Sequence, residues 1–166
     1  VGPDRCGKTT LANKTSQLLN IPYFKNYTQK DFFCTKIDPV QKIYIEGNLQ
    51  LQLFSQLGIS VIKDRDFPCE YAYSKAYGRK SDDEYIFSLD SAYAALQTLI
   101  IFCYKDSYKE YNDEYVNIDK IESIKKYYNE FLDKTRCKYL KLNTTDENLD
   151  NQLVLIQQAI QELKGS

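Results

Sequence analysis

Eight residues near the start of the chain, Gly2-Pro3-Asp4-Arg5-Cys6-Gly7-Lys8-Thr9, constrain its fold more than any other stretch. Two glycines bracket four residues and are followed by a lysine and a hydroxyl, the G-x-x-x-x-G-K-[ST] spacing of the Walker A or P-loop, and Thr10 comes next. Glycine lets the backbone wrap so that its N–H groups face phosphate oxygens. Lys8 then reaches the β and γ phosphates and the Thr9 hydroxyl binds Mg²⁺. A helix starting at Lys8 adds its positive end. Chance produces this pattern in roughly one chain in a hundred of this length, so position decides: here it opens a helix in an α/β chain, as phosphate binding demands. The expected ATP-binding set is Gly2, Asp4, Cys6, Gly7, Lys8, Thr9 and Thr10.

The remaining residues alternate between helical and strand patterns. Lys8 to Leu19 is amphipathic and stops before Pro22. Asp38-Pro39 opens a second helix by the N-cap and first-turn rule, and that helix runs to Gly58. Ile59 to Ile62 has the length and composition of a buried parallel strand and delivers Lys63-Asp64-Arg65 at its carboxyl end, where open α/β sheets bind ligands. Two helices follow, about Cys69 to Gly78 and Ser81 to Leu96, the second opening on a capping box at Ser81-Asp82-Asp83-Glu84. Thr98 to Tyr104 predicts another central strand, Lys105 to Asn117 a tyrosine-rich flap, and Ile118 to about Asp133 a helix. Tyr139 to Leu142 reads as the last strand, with Thr145 or Asp146 capping the closing helix. These 166 residues predict one domain, 1–166, with a three-layer α/β/α fold of P-loop NTPase type around a central parallel sheet.

Composition removes several functional classes. A net charge of −1 disfavours a polynucleotide partner, although Arg65, Lys75, Arg79 and Lys80 leave room for a local basic cleft. No apolar run approaches the roughly 20 residues needed to cross a bilayer. Five cysteines, an odd number with no C-x-x-C, read as reduced thiols of a cytoplasmic protein. With no histidine in the chain, proton and charge chemistry falls to carboxylates, lysine, arginine and a metal brought with the substrate.

Asp64 and Arg65 form the second constellation. A carboxylate at a strand end holds Mg²⁺ or accepts a proton from an acceptor hydroxyl, and an arginine grips phosphate through two N–H groups. The loop, with Asp4 and Arg5 inside it, and the Asp64-Arg65 pair after an apolar strand together resemble the thymidylate kinase family. In one subgroup of that family the loop arginine replaces arginines of the flap, and Lys105 to Asn117 contains no arginine. The resemblance implies that Lys8 and Arg5 stabilise the transferring phosphoryl group. It also implies that Asp4 faces the acceptor sugar and that Asp64 and Arg65 serve catalysis and the acceptor nucleotide. It covers most of the chain in element order but only these two motifs in residues.

The departures fall on the acceptor side. The family's Arg-Glu-Pro-Gly segment is missing, with Tyr23 to Thr35 offering aromatics, Lys25 and Lys30 instead, and Asp66 to Glu70 lacks the aromatic-x-x-serine pattern. Arg79 and Lys80 are candidates for the acceptor phosphate, and Phe32, Phe33, Tyr71, Tyr73 and Tyr77 are candidates to stack its base; a solvated helix end and core packing account for the same residues. Asn143-Thr144-Thr145 lies where related kinases pass the adenine. The leading expectation is an ATP- and Mg²⁺-dependent kinase acting on a nucleoside monophosphate, thymidylate-like, with a homodimer as a further option. A hydroxyl acceptor on a deoxynucleoside or polynucleotide, with Asp64 as base, is the first alternative. A non-catalytic nucleotide-binding module is the second.

Overall fold

The computed structural model describes residues 1–25, 39–108, 118–146 and 148–165. In chain order the elements are α1 (Lys8–Leu19), β1 (Tyr23–Lys25), α2 (Pro39–Leu57), β2 (Ile62–Asp64), α3 (Phe67–Ala76), α4 (Asp83–Ala95), β3 (Leu99–Tyr104), α5 (Ile118–Leu132), β4 (Lys138–Asn143) and α6 (Leu149–Lys164). Expected positions 26–38 and 109–117, including Phe32, Phe33, Lys30 and most of the flap, lie outside the described residues.

All strand pairing among the described residues is parallel, as α/β alternation requires. The expected central sheet is present as two ladders, β1 with β2 and β3 with β4. Val1 extends the second ladder: its backbone nitrogen donates to the Ile101 carbonyl at 2.8 Å, and the Val1 carbonyl accepts from the Cys103 N–H at 2.9 Å. This ties the start of the phosphate-binding loop to the middle of β3. Leu11, Ile62, Phe67, Ile101 and Ile156 are among the residues lining a cavity of about 480 Å³ bordered by both ladders.

The layers follow from side-chain alternation along β3. Ile100 and Phe102 join a core with Phe67, Ile86, Tyr128 and Phe131 from α3, α4 and α5, while Ile101 and Cys103 face Leu11, Leu142 and Ile156 and so meet α1 and α6. Helices therefore cover both faces of β3, and the architecture is the P-loop NTPase-type α/β fold expected.

Several boundaries move for local reasons. Ile59 is 47% exposed and lies in the connection from Gly58 rather than in a strand. Gly58 ends α2 at φ 60°, and the ladder begins only where the Ile62 N–H reaches the Pro22 carbonyl at 2.8 Å. Asp82, not Ser81, caps α4, accepting from the Tyr85 N–H at 3.0 Å. Asn148 replaces Thr145 or Asp146 as the cap of α6, because Thr145 is engaged with Asn143 and Asp106 instead.

One buried carboxylate organises the turn between α5 and β4. Asp90, 1% exposed on α4, accepts from the Thr135 hydroxyl and from the Arg136 N–H at 2.7 Å. Asp90→Ala strands both donors, and we expect a loss of about 3 kcal/mol in folding stability, read from a urea unfolding curve. A loss under about 1 kcal/mol would mean that the turn holds itself.

Candidate active site

The loop between Val1 and α1 is shaped by its two glycines. Gly2 sits at φ 139°, and a Cβ there would collide with the Cys103 carbonyl. Gly7 caps α1 in the left-handed region at φ 76°, and no side chain caps the helix amides behind it. The first-turn N–H groups of α1 are thus left for an external acceptor. The underside of the loop is pinned: the one O–H of the buried Thr144 is shared between the Cys6 carbonyl at 3.1 Å and the Tyr104 carbonyl at 3.0 Å, and the Cys6 thiol donates to the Pro3 carbonyl at 3.0 Å. Cys6 is fully buried. Its side chain faces the protein interior, so its place in the loop is a backbone one.

Lys8 is only 8% exposed and folds back over the loop. Its ammonium donates to the Pro3 carbonyl and lies 3.9 Å from the Cys6 sulfur and 4.0 Å from an Asp4 carboxylate oxygen. Asp4 also takes the Arg65 guanidinium at 2.7 Å, so one carboxylate is shared by cations from the loop and from the end of β2. Arg65 holds φ at 70°, and Arg5, beside Asp4, holds 63°. Left-handed non-glycine residues at a ligand cleft are a usual place for stored backbone strain.

Asp64, on the last turn of β2, is 2% exposed. Its Oδ2 accepts from the Thr9 hydroxyl at 2.6 Å and from the Tyr23 hydroxyl at 3.1 Å, whereas its Oδ1 is buried with no hydrogen-bond partner among the described residues. An unpartnered buried carboxylate oxygen beside a threonine hydroxyl fits a hard, oxygen-seeking cation. Among the described residues no three His, Cys, Asp or Glu side chains cluster.

Of the residues expected here, Lys8, Asp4, Thr9, Asp64 and Arg65 converge. Gly2, Cys6, Gly7 and Thr10 complete the loop and the first turn of α1, and Arg5 is an exposed residue of the loop. Tyr71 does not join them: it is 1% exposed, packs on Phe87 and Phe131, and donates to Glu130 at 2.6 Å, because its face of α3 turns onto α5. Arg79 follows α3 with its guanidinium 5.8 Å from the Tyr77 ring, which Lys120 approaches at 5.9 Å. Tyr77 in turn stacks on Tyr73 at 6.3 Å. The sequence reading missed Tyr23 at the carboxylate and placed Thr144 beside the adenine rather than under the loop. Thr144 had a signal, a polar residue directly after an apolar strand; Tyr23 had none, since its partner is 41 residues away.

No family model matches the chain, and no curated protein matches it. Solved structures do. The fold is similar to that of the YorR protein from Bacillus subtilis in complex with phosphorylated GDP, at 20% identity and a TM-score of 0.64, over 95% of this chain and 93% of YorR. It is also similar to deoxyadenosine kinase from M. mycoides with bound dCTP, at 14% identity and a TM-score of 0.59, over 98% of this chain and 97% of that one. At these identities the likeness concerns the fold, and it spans nearly the whole chain.

Proposed function

We propose that this chain is a nucleotide kinase that transfers the γ-phosphoryl group of ATP to a nucleoside monophosphate, with thymidylate the first acceptor to test. The observation that carries the reading is a pair of contacts between the loop and one strand end: Thr9 on Asp64, and Asp4 on Arg65. A triphosphate cradle and a cation fit for a second phosphate thereby share one cleft. The fold shared with deoxyadenosine kinase, and with a YorR structure that holds phosphorylated GDP, supports kinase-type phosphoryl transfer without choosing the acceptor.

In this reading the amides from Gly2 to Thr9 and the start of α1 bind the triphosphate. Lys8 exchanges the Pro3 carbonyl and Asp4 for the β and γ phosphates. Thr9 and Asp64 would hold Mg²⁺, which when bound spreads the charge of the β and γ oxygens. Arg5 offsets charge on the phosphoryl group in flight. Asp4 faces the acceptor sugar, and Arg65 and Arg79 bind the acceptor phosphate. Because an acceptor phosphate is already ionised, positioning and electrostatics carry the transfer, in keeping with a chain that has no histidine.

A coupled assay that follows ADP release tests the reading, run with dTMP, the other monophosphates and the free deoxynucleosides. ADP release that depends on a monophosphate is the expected result, and no release with any acceptor would refute it. Release with deoxynucleosides only would select the hydroxyl-acceptor reading, which the likeness to deoxyadenosine kinase supports.

A homodimer belongs to the same proposal. Ile45, Leu49, Leu53 and Leu57, at four-residue intervals on α2, are 57%, 65%, 45% and 54% exposed. Such a stripe suits burial against a second copy. Cytoplasmic placement is proposed with it: Cys6, Cys69, Cys103 and Cys137 are unbridged thiols, and no helix among the described residues is long and apolar enough to cross a membrane.

A further inference from the structure

We infer that Tyr23 is a positioning residue for the metal-holding carboxylate: its hydroxyl, with that of Thr9, fixes Asp64 through Oδ2 and leaves Oδ1 without a protein partner. The inference rests on the metal role proposed for Asp64. Three observations carry it. Both hydrogen bonds to the carboxylate fall on Oδ2, from Thr9 at 2.6 Å and Tyr23 at 3.1 Å. Oδ1 has none among the described residues, although Asp64 is 2% exposed. Tyr23 also comes from a different strand than its partner: on β1 it is in register with Ile62, so the phenol reaches two residues along the ladder to meet Asp64.

A carboxylate needed only for folding would have its hydrogen bonds spread over both oxygens, since each buried lone pair left bare is costly. Here the donors are concentrated on one oxygen and the other is kept clear. Thr9 alone cannot set this orientation, because a single donor leaves the carboxylate free to swivel about its Cβ–Cγ bond. The second donor, arriving from β1, removes that freedom. Second donors of this kind orient metal-binding groups elsewhere, and their loss weakens metal binding or activity about 10- to 100-fold. No carboxylate or histidine takes this place on β1, whose residues are Tyr23, Phe24 and Lys25.

Tyr23→Phe keeps the ring and deletes the hydroxyl. The test compares ATP binding by calorimetry in EDTA and across a Mg²⁺ series, with Mn²⁺ binding to the ATP complex followed by electron paramagnetic resonance as a readout independent of turnover. We expect unchanged ATP affinity in EDTA, a thermal midpoint close to that of the parent, and a Mg²⁺ half-saturation raised about tenfold, with Mn²⁺ affinity falling in parallel. Unaltered Mg²⁺ and Mn²⁺ dependence in the variant overturns the inference alone. A parent chain that binds ATP equally with and without Mg²⁺ overturns it together with the metal role of Asp64. Equal loss of ATP affinity in EDTA and in Mg²⁺ overturns it in favour of a packing role. A shifted Mg²⁺ dependence in a chain that phosphorylates no monophosphate upholds the inference while refuting the acceptor proposed above.

Discussion

Replacing Lys8 with alanine is expected to lower turnover by about a thousandfold or more while leaving the chain folded. The ammonium is poised but not committed. It rests on the Pro3 carbonyl and near Asp4, partners that belong to the same loop and are available for exchange. Its loss removes one charge-assisted hydrogen bond at rest, worth about 1.5 to 3 kcal/mol at most, and Pro3 retains the Cys6 thiol as a donor. In the transition state no other lysine of the described loop can take its place. Single-turnover phosphoryl transfer, with urea unfolding as the control, separates the two effects. Turnover within tenfold of the parent would remove Lys8 from the chemistry and leave it a loop brace.

Gly2→Ala is expected to damage both folding and binding. At φ 139° an L side chain is strained, and its Cβ would drive into the Cys103 carbonyl and come within 3.0 Å of the Cys6 sulfur. The backbone carbonyl cannot swing aside, since β3 is held by β4 on its other edge. Strain and overpacking together cost about 3 kcal/mol or more. In a domain of this size that lowers the thermal midpoint by roughly 6 to 12 °C. Displacing the loop from β3 also turns its amides, so ATP affinity should fall in the molecules that remain folded. A variant within about 1 kcal/mol of the parent, binding ATP normally, would show that the loop does not depend on its contact with Cys103.

The part of this architecture that could be read from the residues is the part governed by local patterning. The first helix, from Lys8 to Leu19, was bounded by the loop before it and Pro22 after it, and both limits hold. The strand Leu99–Tyr104 stood out because it is buried on both faces, which gives an unbroken apolar run. β1 did not stand out, being three residues long, half exposed and without a run to find. The cap of α6 was misread because Thr145 and Asp146 have the same chemistry as Asn148, and only the turn geometry decides which one meets the helix. At the site, the residues of the Gly2–Thr9 motif and the Asp64-Arg65 pair were legible, because spacing along the chain encodes them. Tyr71 was misplaced since a tyrosine in a helix carries no mark of which face it is on, and its face proved to be the one packed on Phe131. The contacts of Tyr23 and Thr144 reach across 41 and 138 residues, so the position of Thr144 after an apolar strand could be noticed but neither partner could be read.

Asp4 answers to two cations at once, Lys8 at 4.0 Å and Arg65 at 2.7 Å. Its single negative charge is therefore divided, and whatever draws the lysine toward an anion returns the whole of it to the arginine. Under the proposed function, loading the donor would stiffen Arg65 before an acceptor arrives. The order in which the two substrates bind would then be written into the electrostatics of one side chain.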